Sequence, residues 1–329
     1  MSPTRTPRTH AASAIEFPLL GPRGEPVDLR RTFASHGVAT LPPMRLDEEA
    51  WTFEVTVAVR GARPRTAHVE AGRPGFGALS VLGPRPSPAI ETRVLDAIRH
   101  VLNLDHDLSG FYEVAASDPT MSWVTSGAGR MIRSQSVFEE VVKTIATTNC
   151  SWSLTTKMVG ALVEHLGDRA PGAPATGAEG RTFPSPAAMA EQDEGFYRDV
   201  VKAGYRSGYL RTLARMVVDG EVDLEELGRT DHDELPDAEV ATRLQALPGV
   251  GPYAAAHVMM MLGRYSALIL DSWTRPKYAR LVGKKAVADS TIVRRFRPYG
   301  RYAGLAFWMF LTRDWVEEQA PPGAPPVVG

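Results

Sequence analysis

With 329 residues, of which 43% are apolar and 23% charged, the chain is too long for one hydrophobic core and too apolar for wholesale disorder. Two or three subdomains packed as one unit are expected. A single cysteine, Cys150, excludes an intramolecular disulfide and any four-thiolate zinc or iron–sulfur site, and points to a reducing cytoplasm. The formal charge of -1 excludes a uniformly basic nucleic-acid binder, and the absence of a long apolar run argues against secretion and membrane spanning.

In chain order, Pro and Gly density marks residues 1–13 as a flexible leader and 317–329 as a flexible tail. Residues 14–83 read as a small antiparallel β subdomain. Its clearest strand is WTFEVTVAV, which puts Trp51, Phe53, Val55, Val57 and Val59 on one side and Thr52, Glu54, Thr56 and Ala58 on the other. Helical spacing of apolar residues follows at 88–105 and 134–147, within a helical subdomain spanning 84–166. Residues 167–186 form a Pro/Gly/Ala-rich stretch, expected to be a linker or mobile loop. A second helical subdomain, 187–316, carries helical patterns at 187–219, 237–246, 252–263, 273–282 and 302–315. The whole is an α+β fold, a sheet packed on a predominantly helical bundle.

Charge is segregated along this last part. Asp219 to Glu239 holds ten acids against Arg229 alone, whereas Asp271 to Arg301 holds nine Lys and Arg against Asp271 and Asp289. Such blocks fit a basic face toward a phosphate backbone with an acidic face turned away, and equally two solvated helix faces of opposite sign. Arg275, Lys277, Lys284 and Lys285 are the candidate phosphate contacts.

The most informative stretch is LPGVGPY at 247–253. Helical spacing through Val240, Leu244 and Leu247 stops at Pro248, Gly249 and Gly251 flank Val250, and a second helix begins at Pro252. This helix–hairpin–helix pattern aims first-turn amides outward as anion donors, which grip phosphate without reading sequence. A plain turn between packed helices gives the same pattern. Eighteen residues after Tyr253 stands Asp271, at the end of an apolar run and ahead of a further helix. A carboxylate so placed can stabilise developing positive charge or orient water, and it can also be a simple helix cap.

LPGVGPY, an apolar helix and then ILD resemble the helix–hairpin–helix DNA glycosylase superfamily, in its 3-methyladenine and 8-oxoguanine branches. RSQSVFEEVVKTIATTN at 133–149, AGYRSGYL at 203–210 and FRPYGRYAGLAFWMFLTRDW at 296–315 extend the resemblance over about residues 14–316. The resemblance implies that Leu247, Gly249, Val250 and Gly251 grip DNA, that Asp271 drives cleavage of the base–sugar bond, and that Asn149, Tyr205 and Arg206 sit where the flipped base leaves a gap. Tyr253 occupies the position of the lysine that forms a Schiff base in bifunctional members; a phenol cannot form that adduct, so no strand cleavage is expected. In the 8-oxoguanine branch an arginine and a glutamine help read the base pair, and their positions here hold Leu154 and Phe307.

Phe307, Trp308 and His257, with Tyr253, are the expected base pocket, suited to an electron-poor alkylated purine. Core packing is the alternative for Phe307 and Trp308, and plain structure for His257. The expected function is monofunctional release of an alkylated purine from damaged double-stranded DNA, by a monomer without metal or organic cofactor, apart from a monovalent cation that the family's hairpins often hold. Oxidised-purine or mismatch glycosylases, and a non-catalytic DNA-binding protein, are the alternatives.

Overall fold

The computed structural model describes residues 14–316; the expected leader and tail lie outside them. Strands β1 (Ile15–Pro18), β2 (Met44–Asp47), β3 (Thr52–Val57), β4 (Arg65–Ala71) and β5 (Phe76–Leu82) form one antiparallel sheet in the order β1-β5-β4-β3-β2. The expected meander runs from β2 to β5, and β1 closes the far edge by pairing Ile15 with Leu79.

Phe53, Val55 and Val57 enter the core as the period-two pattern requires, but the opposite face of β3 is not open to solvent. Glu54 is 7% and Thr56 2% exposed. Polar neighbours across the strands cover them. Glu54 pairs with Arg45 and lies 3.2 Å from His68 Nδ1, and the Thr56 and Thr66 hydroxyls are 2.9 Å apart. Burial opposes the Glu54 charge, yet the hydrogen bonds from His68 and Arg45 outweigh it and hold the carboxyl at about 2, below its ordinary 4.5. A depressed carboxylate stabilises the fold above its unfolded pKa and loses that contribution as pH falls through the folded one. Stability is therefore expected to drop between about pH 4.5 and 2, by at most about 3 kcal/mol from this group. In acid titrations followed by circular dichroism, Glu54→Gln should flatten that part of the curve; an unchanged curve would exclude the ion pair as its source.

The helices of the described residues are α1 (Leu29–Phe33), α2 (Pro88–Val101), α3 (Ser109–Ala116), α4 (Val137–Thr147), α5 (Trp152–Leu166), α6 (Pro186–Ala190), α7 (Arg206–Val218), α8 (Leu224–Arg229), α9 (Asp237–Gln245), α10 (Pro252–Met261), α11 (Thr274–Leu281), α12 (Asp289–Phe296) and α13 (Ala303–Thr312). The helical pattern expected over 187–219 breaks into α6, a π turn at Phe196–Val200 and α7. None of these helices is long and apolar enough to cross a membrane.

Two apolar cores result. The first joins the sheet, α2 and α3 to residues of α10 through α13; the second is built from α4 to α9 with the other side of α10. Ala256, Met260 and Met261 belong to the first core, and Ala254, Ala255, Val258 and Met259 to the second. An apolar helix with no polar face is what such a seam demands. Tyr253 packs against both cores.

The 167–186 stretch is not a linker. Arg181 bridges its own loop, donating to the carbonyls of Gly177 at 3.1 Å and Gly167 at 2.9 Å, and Ala170 N donates to Gly180 O at 2.9 Å. With Thr182 N bonded to Asp168 O at 3.0 Å, the segment closes as a compact loop whose ends meet.

The acidic block is likewise used within the fold rather than spread over one solvent face. Glu225 accepts the amides of Val137 and Phe138 at the start of α4, Asp223 caps α8, and Asp237 pairs with Arg264. In the basic block, Arg275 pairs with Asp289 and Lys277 with Asp314. Lys284 and Lys285 stay exposed and make no ion pair among the described residues.

Candidate functional site

A cleft of about 1150 Å³ opens at the seam between the two cores. It is bounded by the end of α4, the hairpin before α10, the start of α11 and one turn of α13.

The hairpin conforms to expectation in outline. Gly249 has φ 79°, and a Cβ there would lie 2.7 Å from the Tyr209 ring, so this position requires glycine. Gly251 does not: its φ is -93°, which any residue adopts, and a Cβ would meet nothing within 4 Å. What Gly251 contributes is open space at the helix start. No side chain caps α10, and Pro252 at its first turn leaves the following amides available to an anion. The side chains of Leu247 and Val250 are 5% and 6% exposed and belong to the second core. A phosphate would therefore meet their backbone alone, since burying those side chains is what holds the hairpin in place.

Asp271 lines the cleft and also caps α11. Its Oδ1 accepts from Trp273 N at 2.8 Å and Thr274 N at 2.6 Å, and its own amide donates to Thr274 Oγ1 at 2.8 Å. The cap reading of this residue holds, and the same residue faces the cleft. All the amide bonds fall on one oxygen, so Oδ2 makes no hydrogen bond among the described residues and is left for the cleft. Tyr253 is close enough to feel the carboxylate: burial first, then the Asp271 charge, push its phenol up, against an opposing contact with Thr147. The phenol is accordingly protonated at neutral pH.

The cleft floor is aromatic. The His257 ring lies 4.6 Å from that of Tyr253 and 6.1 Å from that of Trp308; Trp273 stands 5.6 Å from both Trp308 and Trp315. Trp308 is fixed by donating its indole N–H to Ser35 O at 2.8 Å. Phe307 is not part of this surface. It is fully buried against Phe296 and Tyr278, because adjacent residues on a helix point about 100° apart and only one of the pair can face the cleft.

At the rim, Tyr205 is 56% exposed and Asn149 takes φ 46°, with its amide 3.5 Å from the Tyr205 hydroxyl. Arg206 is not free to reach outward. It is 4% exposed, donates to the Thr148 carbonyl and, at 3.3 Å, to the Thr148 hydroxyl, and its guanidinium stacks 4.4 Å from the Tyr205 ring. Its work is to hold the turn that presents Asn149 and Tyr205. Leu154, at the position of the family's arginine, packs against the second core.

No protein-family model and no curated protein matches this chain. Solved structures do. A 3-methyladenine DNA glycosylase from Archaeoglobus fulgidus superposes with a TM-score of 0.69 at 18% identity, covering 92% of this chain and 99% of that one. The fold is that of the helix–hairpin–helix DNA glycosylases. An 8-oxoguanine glycosylase/lyase from Clostridium acetobutylicum gives a TM-score of 0.68 at 18% identity, over 92% of this chain and 97% of that one. The same enzyme bound to double-stranded DNA with cytosine opposite 8-oxoguanine matches at 0.68 over 93% of this chain and 97% of that one.

Within this glycosylase fold, several cleft residues carried no sequence signal. His36 arrives from a loop 221 positions away from His257 and lies 3.1 Å from it. Trp152, 45% exposed, also lines the cleft. Trp273 and Trp315 were within reach of sequence reasoning, as aromatic residues beside Asp271 and at the end of the terminal helix.

Proposed function

We propose that the chain is a monofunctional DNA N-glycosylase that releases N-alkylated purines from double-stranded DNA, leaving an abasic site. The observation that carries this reading is Asp271: a carboxylate anchored by two amides through Oδ1, with Oδ2 free of hydrogen bonds among the described residues, in an aromatic cleft that the hairpin before α10 also lines.

A target nucleotide must leave the stack for its glycosidic bond to be reached. In the cleft, the base departs with the bonding electrons, and the sugar ring takes up positive charge at C1′. The fixed Asp271 carboxylate stabilises that charge and orients the water that adds to C1′. The Trp308, Trp273 and Tyr253 rings offer π faces to a cationic base, which is already a good leaving group. No metal or organic cofactor is needed for these steps. A monovalent cation at the hairpin would rest on carbonyls of residues 247–251, where Leu247 O already accepts Val250 N at 3.2 Å, and would only steady the loop.

Strand cleavage needs an amine, and Tyr253 has none. Lys143 also lines the cleft, but it is fully buried and held by Glu139 at 2.6 Å, which keeps its amine from attacking a sugar.

Duplexes carrying 3-methyladenine, 7-methylguanine, 8-oxoguanine, hypoxanthine, uracil or a G:T mismatch provide the test. Release of the alkylated bases is expected, with strand breaks appearing only after alkali. Breaks without alkali would refute the monofunctional assignment, and release of 8-oxoguanine alone would refute the substrate class.

A further inference from the structure

The cleft contains a hydrogen-bond donor whose orientation is set by a second histidine beside it. His36, the residue before the 3₁₀ turn Gly37–Thr40, accepts the Val38 amide on Nδ1 at 3.3 Å. A backbone amide can only donate, so Nδ1 carries the lone pair, and a neutral His36 holds its proton on Nε2. That nitrogen is 3.1 Å from His257 Nδ1. Receiving the bond there, a neutral His257 must keep its own proton on Nε2. His257 Nε2 is shielded from solvent and has no hydrogen-bond partner among the described residues, although the residue lines the cleft.

We infer that His36 and His257 form a base-reading relay, in which His257 Nε2–H donates to an acceptor atom of a purine held in the aromatic cleft. The inference rests on the reading of this cleft as a base pocket. Geometry supports it on both sides. The His257 ring meets Tyr253 edge-on, and the His36 ring lies 5.2 Å from that of Trp308, so both imidazoles belong to the walls a purine would touch.

An unpaired buried donor is costly, and an incoming acceptor recovers that cost, so the cleft favours bases with an acceptor at this edge. Neutrality is equally useful. Burial brings His257 down to about 4, and burial together with repulsion from His257 brings His36 down to about 3. A neutral donor hydrogen-bonds to a base without repelling its positive charge, which a lysine or arginine in the same place would do. The relay makes the loop after α1 a determinant of substrate choice, although it lies far in sequence from the hairpin and Asp271.

The test is nitrogen NMR of histidine-labelled full-length protein, alone and titrated with free 3-methyladenine. Both histidines should carry their proton on Nε2, and the base should move the His257 Nε2 signal. His257→Phe and His36→Phe should each weaken 3-methyladenine binding about tenfold, the first by deleting the donor and the second by releasing its tautomer. His257→Gln, which restores an amide donor, should recover most of the loss. A proton on His257 Nδ1, an unmoved His257 signal, or Phe variants that bind like the wild type would overturn the relay. The two readings separate cleanly: base release from duplexes with an unmoved His257 rejects the relay and keeps the glycosylase. A His257 signal that follows 3-methyladenine, with no duplex substrate released, does the reverse.

Discussion

Asp271→Asn is expected to lower base release by about 10²–10³-fold or more while leaving duplex binding equal or tighter. The substitution isolates the charge because of how this residue is held. Oδ1 receives the amides of Trp273 and Thr274, and an asparagine side-chain oxygen can accept the same two bonds, so the cap on α11 survives. Removing a negative charge beside a site for a phosphate backbone cannot weaken binding through repulsion. Asp271→Ala removes charge and cap together, and should add a loss of about 1 kcal/mol in stability. Single-turnover release and duplex titration at fixed salt on both variants give the answer. Parallel loss of binding and release in the Asn variant would make Asp271 purely structural.

The largest expected effect on stability is at Arg264. It is 2% exposed, and its guanidinium donates to Leu235 O at 2.6 Å, Thr230 O at 2.7 Å, Asp231 O at 3.2 Å and Asp237 Oδ1 at 3.0 Å. These bonds tie the acidic segment before α9 to the end of the hairpin helix. Arg264→Met would strand three carbonyls and leave Asp237, among the described residues, with Ser266 and His232 as partners. Arg264 is buried but Asp237 is 18% exposed, so the loss should be about 2–3 kcal/mol, corresponding to a fall in Tm of roughly 4–10 °C. Because much of that cost is the abandoned carboxylate, Arg264→Met with Asp237→Asn should recover part of it. A thermal midpoint within two degrees of wild type, by calorimetry, would show that water replaces the guanidinium without cost.

The local features of this molecule were readable from sequence, and the ones made by distant contacts were not. The hairpin, the start of α10 at Pro252 and the position of Asp271 depend on residues within a few positions of one another, so Gly, Pro and apolar spacing suffice to place them. The sheet was legible for the same reason, although the second face of β3 was not: that Glu54 is buried depends on Arg45 and His68 arriving from other strands. Residues 152–166 carry Met158, Val159, Leu162 and Val163 at helical spacing behind the Ser151 cap, so that helix could have been assigned. In α13, apolar on every side, spacing could not decide whether Phe307 or Trp308 faces the cleft. Leu247 and Val250 look like hairpin contacts until the second core claims them. His36 is the extreme case, a lone histidine in a loop whose meaning comes entirely from its partner.

The two cores are interleaved along the chain in a way that bears on how the molecule is made. The first draws on residues 17–132 and then on 256–311, while the second, Leu41 aside, draws on 137–259. During synthesis the sheet therefore emerges with part of its core missing, and the lacking pieces, among them Phe296, Phe307 and Leu311, come last. The middle block has nearly all of its own partners in hand well before then and can condense first. The apolar face of the opening segment is fully covered only once α13 is in place. Because the cleft lies on the seam between the two cores, it is complete only when residues from both are packed together.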